Sequence, residues 1–191
     1  MRIVGGKFKG RAIAAPQGRD TRPTSDRARE AVFNILVHAP WSPGLDGRRI
    51  LDLFAGAGAL GLEALSRGGA FALFVETDFA ARGAIRDNIE ALGLFGATRI
   101  HRRDATDLGA KPTGLGAPFD LVFLDPPYGR GLGERALALL KPGGWIGDDA
   151  LIVYECGADE EPETPGFARL DVRDYGAAKV LFLKPAAPPP S

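Results

Sequence analysis

The stretch Ile50-Leu51-Asp52-Leu53-Phe54-Ala55-Gly56-Ala57-Gly58-Ala59-Leu60-Gly61 decides how this chain is read. An apolar run, Ile50 to Phe54, breaks into glycines at Gly56, Gly58 and Gly61, and apolar residues then recur at Leu60, Leu62, Ala64 and Leu65. That pattern is a buried strand, a tight turn and a helix. Glycines let a backbone approach a ligand closely, and a helix N-terminus presents unpaired N–H groups to it. The turn suits a nucleotide-like ligand.

Working outward, the same alternation continues. Arg67-Gly68-Gly69 ends the helix, and Phe71 to Val75 reads as a second buried strand ending at Glu76-Thr77-Asp78. Phe79 to Leu92 is helical, with Ile85, Ile89 and Leu92 on one face, and Ala97 to His101 is a third strand running into Arg102-Arg103-Asp104. Phe119 to Leu124 is a fourth, followed by Asp125-Pro126-Pro127-Tyr128. Leu132 to Leu140 is helical, Ala150 to Glu155 is a fifth strand, and Arg169 to Asp174 with Lys179 to Leu183 forms a closing hairpin. Upstream, residues 2 to 15 read as a small β-hairpin, Pro16 to Pro23 as a loop, and Thr24-Ser25-Asp26 as the cap of a helix reaching about Val37. Apolar strands alternating with helices make a parallel sheet covered on both faces, whose ligands bind beyond the carboxyl ends of the strands.

The composition is that of a soluble globular domain: 45% hydrophobic and 25% charged over 191 residues, enough for one proper core. We expect a single domain over residues 1–185, with an N-terminal extension at 1–37, a catalytic core at 48–185, and a disordered tail at 186–191. The single cysteine, Cys156, excludes an internal disulfide, and no Cys/His cluster suggests a metal. With neither a membrane-length apolar run nor a signal-peptide core, a cytoplasmic, monomeric protein is expected. The net charge of 0 hides an asymmetry: residues 1–29 carry eight Lys/Arg against Asp20 and Asp26, a local +6. Such an arm suits a polyanion touched by one region only, or is simply a solvated surface.

Four acids, Asp52, Glu76, Asp104 and Asp125, fall at or near four successive strand ends. The Gly56–Gly61 turn matches the dinucleotide fingerprint G-x-G-x-x-G, and Glu76 lies 20 residues after Gly56, where a ribose-binding acid belongs. A nicotinamide oxidoreductase is therefore a competing reading. Against it, Asp52 would direct an acid toward a pyrophosphate, whereas an acid there suits an ammonium group. S-adenosylmethionine presents one. Its ammonium suits Asp52 and Ala55, its ribose hydroxyls Glu76, and its adenine Asp104 and the Ala105 amide. The cofactor set on this reading is Asp52, Phe54, Ala55, Gly56, Gly58, Gly61, Glu76, Thr77, Asp104 and Ala105.

Asp125-Pro126-Pro127-Tyr128 points to amine chemistry. The exocyclic amine of a nucleobase is a poor nucleophile because its lone pair is delocalised into the ring. The Asp125 carboxylate and the Pro126 carbonyl can hold its two hydrogens and free that lone pair. The prolines stiffen the segment and bring no N–H of their own. Tyr128 can stack on a base splayed out of its helix or loop. His38, His101, Trp41 and Trp145 read as packing residues, and Cys156 as a buried small side chain.

The tetrapeptide after the fourth strand, with Leu51-Asp52-Leu53-Phe54-Ala55-Gly56-Ala57-Gly58 on the first, resembles the class I amino-methyltransferases. Residues 1–16 and 21–36 narrow this: the chain resembles, from Met1 to about Leu183, the RsmD family, bacterial 16S rRNA (guanine(966)-N(2))-methyltransferases. The resemblance implies a Rossmann-like α/β fold with a mostly parallel seven-stranded sheet and a closing antiparallel hairpin. It also implies S-adenosylmethionine as cofactor, no metal, and 16S rRNA in the small ribosomal subunit or its assembly intermediate as partner. The catalytic residues implied are Asp125, Pro126, Pro127 and Tyr128. Lys7, Lys9, Arg11, Arg22 and Arg27 are implied to contact RNA, with Arg22, Thr24 and Arg27 in a segment folding over the pocket and Thr24 beside the cofactor. A DNA adenine amino-methyltransferase shares the tetrapeptide, but 191 residues leave little room for a separate target-recognition region.

Overall fold

A computed structural model describes residues 1–16 and 24–191. Its centre is one seven-stranded sheet of β1 (Arg49–Leu53), β2 (Phe71–Val75), β3 (Thr98–His101), β4 (Phe119–Leu124), β5 (Ile146–Gly157), β6 (Phe167–Tyr175) and β7 (Ala178–Pro185), in the order β3-β2-β1-β4-β5-β7-β6. The first five strands are parallel; β7 and β6 close the sheet antiparallel. Strand order reverses beside β1, between β2 and β4, so the glycine turn after β1 opens at the switch point where ligands of such sheets bind.

Helices cover the sheet because their apolar faces have nowhere else to go. α1 (Asp26–His38) buries Val32, Phe33 and Leu36, and Ser25 caps it by accepting from the Ala28 N–H at 3.1 Å. α2 (Ala59–Ser66) follows the glycine turn; α3 (Phe79–Leu92) is capped by Asp78 and stopped by a left-handed Gly93; α4 (Leu132–Leu140) covers the other face. Two apolar clusters result, one on each face of the sheet. Trp145 is fully buried, with its indole N–H on the Gly109 carbonyl at 2.9 Å, and Trp41 packs on Phe182 at 5.3 Å. Both tryptophans are packing residues, as read.

The N-terminal segment pairs with itself and with α2. Residues 1 to 13 double back as the small hairpin expected: the Ile3 N–H donates to the Arg11 carbonyl at 3.0 Å, the Gly10 N–H to the Ile3 carbonyl at 2.8 Å and the Ile13 N–H to the Met1 carbonyl at 2.9 Å, around one regular bridge, Arg2 to Ala12, and a short 3-10 turn at Gly6–Phe8. Backbone groups not used across the hairpin dock on α2. The Val4 N–H donates to Glu63 at 3.0 Å, the Phe8 N–H to Ser66 Oγ at 3.0 Å, and Ser66 Oγ donates to the Gly5 carbonyl at 2.6 Å. Gly6 sits so close that an added Cβ would lie 1.9 Å from the Ser66 carbonyl oxygen. The β5 strand also begins earlier than Ala150, at the buried Ile146; the exposed Gly147-Asp148-Asp149 that follow carry no apolar signal. Among the described residues, no helix is long and apolar enough to cross a membrane.

Candidate active site

A cavity of about 900 Å³ opens over the carboxyl ends of the parallel strands. Asp52, Phe54, Ala55, Gly56, Glu76, Thr77, Asp104, Asp125, Pro126, Pro127, Tyr128 and Thr24 all line it, so most of the residues expected at the site are brought together. Gly58, Gly61 and Ala105 are not among its walls. Gly58 takes φ +82° at the start of α2, and a Cβ on Gly61 would fall 2.5 Å from the Phe74 ring. Those two glycines let α2 lie tight on β2. Only Gly56, at φ +59°, combines turn geometry with a place on the cavity wall.

Phe54 takes φ +55°, unusual for a side-chain-bearing residue and costing of order 1–3 kcal/mol. The surrounding strand and helix hold it there, at the bend where the chain leaves β1 for the cavity.

Asp52 is 1% exposed. One carboxylate oxygen accepts the Gly61 N–H at 3.0 Å, so it also ties down the first turn of α2. Burial raises its pKa to about 8; the Glu76 charge pushes the same way and the Gly61 hydrogen bond opposes. Glu76 accepts the Gly56 N–H at 2.9 Å with one oxygen and the Asp78 N–H at 2.9 Å with the other, shaping the glycine loop from the next strand. Asp104 accepts from the backbone and hydroxyl of Thr106 at 2.8 and 2.7 Å, which lowers its pKa; it is a turn-forming aspartate that also faces the cavity.

Asp125 follows β4, next to Asp52 on β1. Its carboxyl is raised well above the ordinary range, first by burial, then by the charges of Glu155 and Asp52. Glu155 belongs to the site and escaped the sequence reading. It sits near the end of β5, and the parallel pairing of Leu124 with Tyr154 puts it beside Asp125. The Tyr128 hydroxyl donates to one of its oxygens, and the Thr24 hydroxyl donates to the other at 3.0 Å. The available signal was an acid closing the fifth apolar strand, the position that had drawn attention to Asp125 on the fourth.

Of the basic arm, Lys7, Lys9, Arg11 and Arg27 are exposed, with Arg11 also donating to the Ala91 carbonyl at 2.6 Å. Arg22 lies outside the described residues. Arg29, counted in the arm's charge, is 1% exposed and paired with Asp26 at 2.8 Å and Glu63 at 3.8 Å, so it is structural. Cys156 is buried, its thiol pushed up to about 11 mainly by burial, which leaves it inert. His101 has its pKa lowered by burial and stacks edge-on to Trp145 at 6.4 Å. Among the described residues, no group of His, Cys, Asp and Glu could hold a metal ion.

The family model described as "Conserved hypothetical protein 95" matches residues 1–184. Escherichia coli Ribosomal RNA small subunit methyltransferase D is 41% identical over 155 residues, covering 81% of this chain and 74% of that protein. The chain belongs to the RsmD family. The Haemophilus influenzae member of the same name is 34% identical over 166 residues, covering 86% of this chain and 83% of its own. Among solved structures, Escherichia coli yhhF superposes with a TM-score of 0.84 at 37% identity, covering 98% of this chain and 99% of that one. The RsmD-family chain thus has the class I S-adenosylmethionine-dependent methyltransferase fold, with its closing antiparallel strands.

Proposed function

We propose that this protein transfers a methyl group from S-adenosylmethionine to the exocyclic 2-amino group of a guanine in the 16S rRNA of the small ribosomal subunit. One observation carries the reading: the Asp125–Tyr128 tetrapeptide and the glycine turn with Asp52 and Glu76 line a single cavity. A cofactor site and an amine-handling site share one space. Relatives named as rRNA small subunit methyltransferases supply the substrate class.

The donor set fits the cofactor. Burial holds the Asp52 carboxyl at a pKa of about 8, and an ammonium group beside it would favour its charged form. Asp52 would hold that ammonium, Glu76 the ribose hydroxyls, and Asp104 the adenine edge; Phe54, Ala55, Gly56 and Thr77 complete the walls. A nicotinamide dinucleotide would instead bring its pyrophosphate toward Asp52. The bound cofactor supplies an electrophilic methyl group on a sulfonium.

The chain's own part is positioning and proton handling. Asp125 accepts one hydrogen of the target amine and the Pro126 carbonyl the other, which turns the nitrogen lone pair toward the methyl group. Methyl transfer would leave the amine nitrogen with a surplus proton, and Asp125, raised above the ordinary carboxylate range, would accept it. Tyr128 offers its ring to the flipped base, and the exposed Lys7, Lys9, Arg11 and Arg27 supply a surface for RNA phosphates.

The test is to incubate the protein and labelled S-adenosylmethionine with undermethylated small subunits, free 16S rRNA and DNA, and to map the modified nucleotide. Label on a guanine 2-amino group of 16S rRNA is expected. Label on a DNA adenine, or none on RNA while NAD binds tightly, overturns the reading.

A further inference from the structure

The cavity described above has a neighbour. A second chamber of about 210 Å³ lies between α1 and the β6–β7 hairpin, reaching Tyr175, and shares Thr24, Tyr128 and Glu155 with the larger one. Glu155 therefore stands in the partition, next to Asp125 by the β4–β5 register. Its two oxygens are aimed by two hydroxyl donors, Tyr128 and Thr24, from different segments. A carboxylate offers about four acceptor positions, so two remain for a ligand. The amine chemistry proposed for Asp125 does not require a second carboxylate here, and Glu155 costs the site something, because its charge adds to the electrostatic burden on Asp125.

Two adjacent acceptors select a ligand with two adjacent donors. Among the amine-bearing bases, guanine alone places a ring N–H, at N1, beside its amine. Adenine and cytosine place a ring nitrogen lone pair there, which a carboxylate repels. We propose that Glu155 is the specificity-determining residue of the reaction, accepting the N1–H of the target guanine while Asp125 accepts from its 2-amino group. Thr24 and Tyr128 are positioning residues that fix the Glu155 carboxylate. This inference rests on the proposed function and names how that site chooses its base.

The test compares small subunits reconstituted with guanine or with 2-aminopurine at the mapped target position. 2-Aminopurine keeps the 2-amino group and lacks the N1–H. Loss of a hydrogen bond to a charged acceptor corresponds to about a 10- to 100-fold fall in kcat/KM, so wild-type protein is expected to prefer guanine by that factor. In Glu155→Gln, whose amide can donate to an unprotonated N1, the preference should shrink to within about threefold, with cofactor binding retained. Equal use of the two bases by wild-type protein overturns the inference while leaving the function standing, and it needs no variant to be folded. An undiminished preference in a folded Glu155→Gln protein assigns the discrimination elsewhere and overturns it too. Failure to methylate the guanine subunits at all sinks the proposed function, and this inference with it.

Discussion

The Asp52 carboxylate accepts the Gly61 N–H at 3.0 Å, so an acid on the cavity wall is also a backbone anchor for α2. The two duties separate by pH. Asp52 has its pKa raised to about 8, so between roughly pH 4 and pH 8 the folded protein keeps a proton that the unfolded chain gives up. Stability from this group is therefore fully present at low pH and lost as pH rises through that window, at no more than about 1.4 kcal/mol per pH unit. Denaturant midpoints of the ligand-free protein should fall with pH, and Asp52→Asn, which still accepts from Gly61, should flatten the curve.

Ligand binding should reverse the effect. If a ligand ammonium brings Asp52 to its charged form, binding of S-adenosylhomocysteine at pH 7 releases a proton. Calorimetry in two buffers of different ionisation enthalpy should then give different heats, and Asp52→Asn should bring them together.

Asp125 must be ionised to accept from the amine, and its pKa stands above the ordinary range through burial, Glu155 and Asp52. The rate should therefore rise with pH as Asp125 ionises, at a higher pH than an ordinary carboxylate would require. Asp125→Ala is expected to retain cofactor affinity and to lose on the order of 10²- to 10³-fold in kcat. Undiminished transfer would remove Asp125 from the mechanism.

Glu63 is fully buried, accepting from Val4, pairing with Arg67 at 2.9 Å and lying 3.8 Å from Arg29. Removing one partner of a buried charge cluster costs about 3–5 kcal/mol. Glu63→Ala should thus destabilise the protein by that order in urea titrations. Because Glu63 also holds Val4, amide exchange at residues 3 to 13 should quicken more than exchange in the sheet.

Neutralising Lys7, Lys9 and Arg11 together should weaken substrate binding and reduce the slope of log K against log salt by up to about two to three units. The Arg11 contact with the Ala91 carbonyl puts its share at the low end. Binding measured from low to moderate salt checks this, and an unchanged slope returns the arm to the status of a solvated surface.

The sheet was legible because each central strand is a short apolar run bounded by helix or turn signals; the strands Phe71–Val75 and Phe119–Leu124, and the helix Phe79–Leu92, appear at the expected bounds. The N-terminal hairpin was legible from its alternation, but its docking on α2 was not, because alternation looks the same whether the outward N–H groups meet water or the side chains of α2. Gly58 and Gly61 carry the fingerprint spacing yet serve helix packing, since spacing reports small residues and not what approaches them. Glu155 was hidden for a topological reason. Its place at the end of an apolar strand is visible locally, but its value lies in sitting beside Asp125, and that neighbourhood comes from strand order.

Thr24, Tyr128 and Glu155 form one partition between the two chambers. A molecule in either chamber that shifts these three side chains alters the free energy of filling the other. Thermodynamic reciprocity makes the factor the same in both directions. The affinity of the protein for RNA with cofactor present, against that without it, is thus also a measure of how strongly RNA retains the cofactor.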